Sequence, residues 1–284
     1  MIDRCYLEIT NICNLDCVFC AGHRRQPRSL SEEEFELLAE KLKGHVKFLY
    51  FHLMGEPMLH RSLPRFISSA RSKGFVPVLT TNGTLLDGAA AVAEAGLYKV
   101  NVSLHSYEGN TDGLGTDDCG LERYVSSVAQ FAGQASANGT VVVLRLWNRG
   151  GYDSENQRIL ELLHRFFPGT WLERENGITL APKLYLEYDG MFTWPDKAGK
   201  ELGTEAFCYA LRNQIGVLAD GSVVPCCLDH DGDMTLGNLF SQSLDEILSS
   251  ERARRMYDGF TSHKAVEPMC RRCGYAMITK RFRT

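Results

Sequence analysis

Cys13, Cys17 and Cys20 stand as C-x3-C-x2-C in the stretch CNLDCVFC, and the next cysteine along the chain after Cys20 is Cys119. A structural zinc site or an ordinary cubane cluster takes four cysteine ligands. One coordination position is therefore either filled from elsewhere or left open. Short spacings on one loop let three thiolates converge on three irons of a [4Fe–4S] cube, leaving the fourth iron to an exogenous ligand. Zinc, or a cluster completed by His23 or another cysteine, is the alternative reading of the same residues. With ten cysteines in 284 residues, chance gives roughly 0.01 occurrences of C-x3-C-x2-C but about 0.35 of C-x2-C, so only the first is informative alone.

Such a loop needs a scaffold, and the chain around it alternates strand-like with helix-like segments. CYLEIT reads as a strand, and SLSEEEFELLAEKLKG as a helix with Ser31 and Glu34 as capping box and Gly44 as terminator. VKFLYFHLM is followed by a helix from Ser62 to Gly74. FVPVLTTNG, YKVNVSLHS and TVVVLRLWN are further strands, separated by helices near 87–95, 121–138 and 154–166, and WLERENGITL and KLYLEYDG supply one or two more. Near-continuous apolar strands separated by helices read as parallel βα units. Roughly six units are too few for eight-stranded closure. The expected fold is α/β, a partial (β/α)6 TIM-like barrel. The three cysteines follow its first strand, at the carboxyl end of the sheet, where such folds place their sites.

A polar stretch near 195–207 divides the chain into expected domains 1–197 and 198–284, the second a small β-hairpin and helix unit. NQIGVLADGSVVPCC reads as two arms around an Asp220-Gly221 turn. SLDEILSSERARRMYDG reads as one short helix with Ser243 and Glu246 as capping box and Gly259 at its end. Cys208, Cys226, Cys270 and Cys273 make a complete thiolate set for a second cluster, with structural zinc as the alternative and Cys227 as the substitute for Cys226.

A net charge of −4 gives no general basic character for nucleic acid. The short basic spots CRRC at 270–273 and KRFRT at 280–284 read as solvated residues. No apolar run of membrane-spanning length and no signal-peptide pattern is visible. Cytoplasmic localisation is expected, where thiols stay reduced and metal or redox chemistry, not disulfides, accounts for the cysteines.

Cys13, Cys17, the aromatic Phe19 and Cys20 resemble the signature of the radical S-adenosylmethionine enzymes. MGEP at 54–57 is similar to that family's GGEP segment, with Met54 where glycine is common, and TTNGTLL and VSLHS fit the following strands. The resemblance implies that S-adenosylmethionine chelates the open iron through its amino and carboxylate groups. An electron from a donor such as flavodoxin or ferredoxin then yields a 5′-deoxyadenosyl radical. It further implies that Gly55, Glu56 and Pro57 face the methionine ammonium and that Ser103 contacts ribose or carboxylate, with Asn82 nearby. Related enzymes carry an Arg-Gly step after strand four that grips the carboxylate; DGLGTDDCGLERY lacks it, which leaves Arg145 as the substitute. His52 and His105 are expected to make structural hydrogen bonds.

The spacing Cys208, Gly221, Cys226 resembles the opening of the SPASM extension. With no cysteine after Cys273, it is similar to the shortened single-cluster "twitch" form of the 2-deoxy-scyllo-inosamine dehydrogenases and shorter than the form in SPASM peptide maturases. The implied cofactors are two [4Fe–4S] clusters and S-adenosylmethionine. The implied activity is an oxidoreductase that abstracts hydrogen from a small molecule or peptide, with the auxiliary cluster as electron acceptor. A redox-neutral peptide epimerase or crosslinking maturase is the alternative; a non-catalytic Fe–S or zinc protein is a third. Cys119 is the candidate hydrogen donor for an epimerase, and the aromatics of YLEYDGMFTWPD (185–196) line a pocket or pack in the core.

Overall fold

Two kinds of residue alternate along the first strand, β1 (Ile2–Leu7). Cys5 and Leu7 are fully buried in the apolar core, whereas Arg4 and Tyr6 line a central cavity. This is the period-2 pattern of a strand with helices on one side and a polar interior on the other. The computed structural model describes residues 2–110, 118–191 and 194–276. The basic tail at 280–284, Phe192 and residues 111–117 after the fourth strand lie outside those residues.

The next strands are β2 (Val46–Tyr50), β3 (Val76–Thr81), β4 (Lys99–Ser103) and β5 (Val141–Arg149). Each pairs in parallel with the one before it. The crossovers carry α1 (Glu32–Leu42), α2 (Leu63–Ser72), α3 (Ala90–Glu94) and α4 (Asp118–Ala137). After β5 come α5 (Asn156–Phe166) and the hairpin β6 (Leu172–Arg174) and β7 (Gly177–Ala181). Strand β8 (Leu184–Gly190) then returns parallel to β5. β1 to β5 with β8 form the expected partial barrel of six parallel strands.

The sheet continues past β1. Strand β9 (Gln214–Val217) pairs with it in parallel, and β10 (Ser222–Val224) and β11 (Gly237–Asn238) follow antiparallel. The Asp220-Gly221 turn joins β9 to β10 as the sequence leads one to expect. The carboxy-terminal unit is thus built onto the barrel's own sheet.

Helix α1 has both halves of its capping box: Ser31 accepts from the Glu34 amide, and Glu34 accepts from the Ser31 amide. Its Phe35 stacks on Phe66 of α2 at 4.1 Å between ring centroids, over the outer face of the sheet. Ser62 begins α2 without a side-chain cap. The helix read from SLDEILSSERARRMYDG is two: α6 (Leu244–Leu248), with the Ser243–Glu246 capping box, and α7 (Glu251–Thr261), capped by Ser250. Gly259 lies inside α7. Its lack of a side chain serves packing, since a Cβ there would stand 2.6 Å from Val266. Among the described residues no helix is long and apolar enough to cross a membrane.

Candidate active site

The loop between β1 and α1 carries Cys13, Cys17 and Cys20, and side chains shape it. Asn11 donates to the Gln26 carbonyl at 2.9 Å and accepts from the Arg28 amide at 2.7 Å, closing the loop at its base. Backbone bonds from Glu56 to Ile12 and from Val18 to Gly109 dock it on the neighbouring strand ends. The backbone of Gly109 presses against Phe19, where a Cβ would stand 2.1 Å from the ring, and Phe19 in turn packs on His105.

The three thiols form an electrostatically coupled set. Burial, and then the charges of Cys20 and Cys13, push the Cys17 thiol up to about 12; burial also raises Cys13 and Cys20. Mutual repulsion of this kind is what a bound cation relieves. Amides of Leu15 and Gly22 point at the Cys13 and Cys20 sulfurs, and the Asn82 and Asn110 side chains reach Cys13 and Cys17 at 3.9 Å each. His23 spends Nε2 on the Asn11 carbonyl at 2.8 Å.

Beside the loop, the MGEP turn follows β2. Gly55 has φ +75°, and a Cβ there would lie 2.4 Å from the Thr10 carbonyl oxygen, so only glycine lets the turn approach the cysteine loop. The Glu56 carboxylate accepts from the Thr81 hydroxyl at 2.8 Å and from the Asn82 and Met58 amides at 2.7 and 2.9 Å. Burial nevertheless raises its pKa to about 7, because the three donors only partly offset desolvation. Among the described residues no cation pairs with it. A carboxylate keeps lone-pair sites beyond those three bonds, so an ammonium fits here. Pro57 opens the short turn behind it, and Tyr124 donates to the Asn82 carbonyl and approaches that of Ser103, tying β3 to β4.

The second cysteine set faces the first across the molecule. Cys208, Cys226, Cys270 and Cys273 are brought together from the loop before β9, the end of β10 and the last turn. Burial raises the Cys208 thiol to about 11. Burial also raises Cys226 and Cys270 well above the ordinary thiol value, Cys226 being opposed besides by Cys208, Cys270 and Cys273, and Cys270 by Cys208 and Cys273. Cys226 feels all three of the others, whereas Cys227 feels Cys208 and Cys273 and shares a hydrogen bond with Tyr6. Asp229 fastens the following loop through the amides of Asp233 and Met234. Among the described residues no three His, Cys, Asp or Glu side chains are gathered around one point for a single ion. A cubane asks for something else, since its thiolates each take a different iron and stand apart.

A cavity of about 1030 Å³ joins the two sets, lined at one end by Cys13, Cys17 and Cys20 and at the other by Cys208, Cys226, Cys227, Cys270 and Cys273. The volume is at the upper end of small-molecule sites and suits S-adenosylmethionine together with a second molecule. Gly55, Glu56, Asn82, Ser103, Phe19 and Arg145 all line it; Pro57 and Cys119 do not. Cys119 is exposed on the first turn of α4, and Cys5 is buried under the helices. Of the aromatic stretch, Trp194 lines the cavity and donates to the Phe19 carbonyl. His105 makes the expected structural contact, to the Arg145 carbonyl at 3.0 Å, whereas His52 leaves Nδ1 without a partner. The sequence reading passed over Glu8, Tyr6 and Asn110. A charged residue inside the otherwise apolar CYLEIT strand was the available signal for Glu8.

Residues 7–178 match the radical SAM superfamily and residues 208–274 the SPASM iron–sulfur cluster-binding domain. A Fe-coproporphyrin III synthase of Methanosarcina barkeri is 35% identical over 110 residues, which cover 37% of this chain and 28% of that protein. The chain's matches to such curated relatives span between 28% and 55% of their length. The fold is shared with BtrN in complex with AdoMet and 2-DOIA (TM-score 0.58, 16% identity, 96% of this chain and 93% of that one). It is shared equally with anSMEcpe bound to AdoMet and the Kp18Cys peptide (TM-score 0.58, 16% identity, 96% and 88%). With the superfamily match extending over more than half of its length, the chain belongs to the radical SAM superfamily and is an enzyme of that kind with a SPASM domain.

Proposed function

We propose that this enzyme is an oxidoreductase that removes hydrogen from a small molecule or peptide and passes the remaining electron to an auxiliary [4Fe–4S] cluster. The observation that carries the reading is the single cavity with a cysteine set at each end. In this reading Cys13, Cys17 and Cys20 hold the first cluster, and Cys208, Cys226, Cys270 and Cys273 hold the second. When bound, the first cluster and S-adenosylmethionine supply a 5′-deoxyadenosyl radical that abstracts a hydrogen atom.

The chain's own residues then have definite tasks. Glu56 and the backbone of Gly55 hold the methionine ammonium, with Pro57 behind them outside the cavity, while Asn82 and Ser103 contact its carboxylate or ribose. Trp194 and Phe19 close the wall beside the cysteine loop and keep water out. Loss of a hydrogen atom and a proton leaves the substrate with one electron to give up. Cys208, Cys226, Cys270 and Cys273 would supply four thiolates to the auxiliary cluster, a full set that suits an electron acceptor and not a substrate site. A flavodoxin or ferredoxin in the cytoplasm supplies the first electron. BtrN with 2-DOIA and anSMEcpe with a peptide support both substrate classes.

A second reading, redox-neutral epimerisation, is favoured by Cys227. Its thiol lies in the cavity beside Tyr6, whereas Cys119 lies outside it. There Cys227 would return a hydrogen atom to the substrate radical.

The test is anaerobic turnover with dithionite, S-adenosylmethionine and a panel of small molecules and peptides. Oxidation gives 5′-deoxyadenosine and oxidised product in equal amounts, without net use of reductant. A Cys270→Ala/Cys273→Ala variant should still cleave S-adenosylmethionine and lose the oxidised product. Solvent deuterium in an unoxidised product, abolished by Cys227→Ala, would replace the first reading with the second.

A further inference from the structure

Among the described residues, the cavity wall holds buried polar atoms that have no hydrogen-bond partner. Arg145 points inward from β5, level with Ser103 of β4. Its Nε is buried and without a hydrogen-bond partner, and its guanidinium lies 4.1 Å from the centre of the Trp147 ring. Among the described residues no carboxylate stands within ion-pair distance of it; Glu187, level with it on β8, acts only through its field. Burial lowers the arginine's pKa to about 10, which leaves it charged at neutral pH. His52, just after β2, brings a buried Nδ1 with no partner, and burial followed by the Arg145 charge holds that ring neutral. Asn101 from β4 donates its amide to Thr80 and the Leu79 carbonyl and leaves Oδ1 unpartnered. All three residues line the cavity.

A buried guanidinium without an acid is costly unless an anion completes it, and unpaired buried polar atoms add to that cost. Three such groups converging on one space make a recess for a ligand. The recess is cationic, since Arg4 is the other inward charge at this level and its neighbours there are Tyr6 and Tyr50. The field around Arg145 is that of Tyr6, Tyr50, His52, Glu187, Lys99 and His105. Tyr6 also bonds Cys227 of the auxiliary end. Through Tyr6 the surroundings of Arg145 reach toward the auxiliary end, while Glu56 and Asn82 stand against the first cysteine set.

We propose that Arg145, with His52 and Asn101, binds an anionic oxygen group of the substrate, a carboxylate or phosphate, and so fixes which carbon meets the radical. The guanidinium fork is suited to two oxygens at once. His52 and Asn101 then read polar substituents next to that group. The proposal rests on the reading of this cavity as the substrate site, but its test needs no turnover.

Holoenzyme with both clusters and saturating S-adenosylmethionine is titrated anaerobically by calorimetry with succinate and inorganic phosphate, and with succinamide as the neutral control. The wild type should bind at least one of the anions at least tenfold more tightly than succinamide; which one separates a carboxylate from a phosphate substrate. Arg145→Gln should erase that preference and Arg145→Lys should keep part of it. Arg149→Gln, altering the exposed arginine farther along the strand, should leave it intact. Iron content and S-adenosylmethionine affinity are measured in parallel. No anion preference in the wild type overturns the proposal without reference to any variant. Preference retained in folded, iron-replete Arg145→Gln also overturns it. So does a loss confined to S-adenosylmethionine affinity, which would place Arg145 on the cofactor carboxylate. Failure of the electron-acceptor reading shows separately, as missing oxidised product with anion binding intact.

Discussion

Two glycines show how far a single position can be argued from local geometry. Gly55 and Gly88 share a positive φ, +75° and +69°, so alanine is strained at both. Around Gly88 a Cβ meets nothing, whereas at Gly55 it meets the backbone of Thr10 and Asn11. Gly88→Ala should cost about 1 kcal/mol, the conformational term alone. Gly55→Ala should cost about 3 kcal/mol or more, because backbone cannot yield as a side chain does. It should also weaken S-adenosylmethionine binding, since the turn would be pushed off the cysteine loop. Thermal denaturation of the two variants, with cofactor affinity for the folded fraction, checks both statements. At this scale the sequence was informative where chemistry is written in spacing, as with the cysteines and the Glu-Pro step. It offered Arg145 only for the cofactor carboxylate and His52 only as a structural hydrogen-bonding residue, and was silent on Asn101; what the three share comes from β5, β4 and the segment after β2 lining one cavity. It was equally silent on Glu56 having no cation among the described residues, because burial and partners are properties of the fold.

At the scale of elements, most strands and helices were legible because their apolar periods and caps are local. Ser31 with Glu34, and Ser243 with Glu246, mark helix starts that the structure forms with both reciprocal bonds. The failure at α6 and α7 has a local cause as well. Ser250 accepts from the Ala253 amide and restarts the helix in a new direction, and a serine in an amphipathic run reads equally well as an exposed helical residue. Gly259 misled for the opposite reason, since glycine is a common helix terminator but here makes room for Val266 and the Lys264 carbonyl. Helix propensity alone predicts that Gly259→Ala stabilises by up to about 1 kcal/mol. The contact geometry predicts the reverse, a net loss of about 1–2 kcal/mol, since backbone and a β-branched side chain must both shift. A denaturant titration decides the sign. A gain in midpoint would mean that the loop after α7 moves freely, and with it the segment leading to Cys270.

The whole molecule turns on a residue that is on neither cysteine set. Glu8, at the end of β1, is fully buried and holds Arg25 of the cysteine loop through two bonds of 2.6 and 2.7 Å. Its oxygens also accept from the Met54 amide, next to the MGEP turn, and from the Ala219 amide in the hairpin of the carboxy-terminal unit, each at 3.1 Å. One carboxylate therefore fixes the cysteine loop, the cofactor turn and the auxiliary unit to a common point. The same contact is reinforced outside by Arg24 on Asp231 and by Arg28 on the Ala219 carbonyl. Parallel pairing of β9 with β1 supplies the backbone half of this junction, and that pairing was not legible because it joins residues some two hundred positions apart. Removing one partner of a buried charge pair costs about 3–5 kcal/mol, mostly from the charge left behind. Glu8→Gln should fall in that range, since the amide can replace at most part of the four bonds and leaves the Arg25 charge unpaired. Arg24→Gln, at a largely exposed side chain, should leave stability nearly unchanged. If the junction sets the geometry between the two cysteine sets, Glu8→Gln should do more than lower the melting temperature. In the protein that remains folded, the spin coupling between the two reduced clusters, read by electron paramagnetic resonance, should change while iron content stays the same. A variant that only melts earlier, with coupling unchanged, would make Glu8 a stabilising residue and leave the alignment of the two sets to the strand pairing alone.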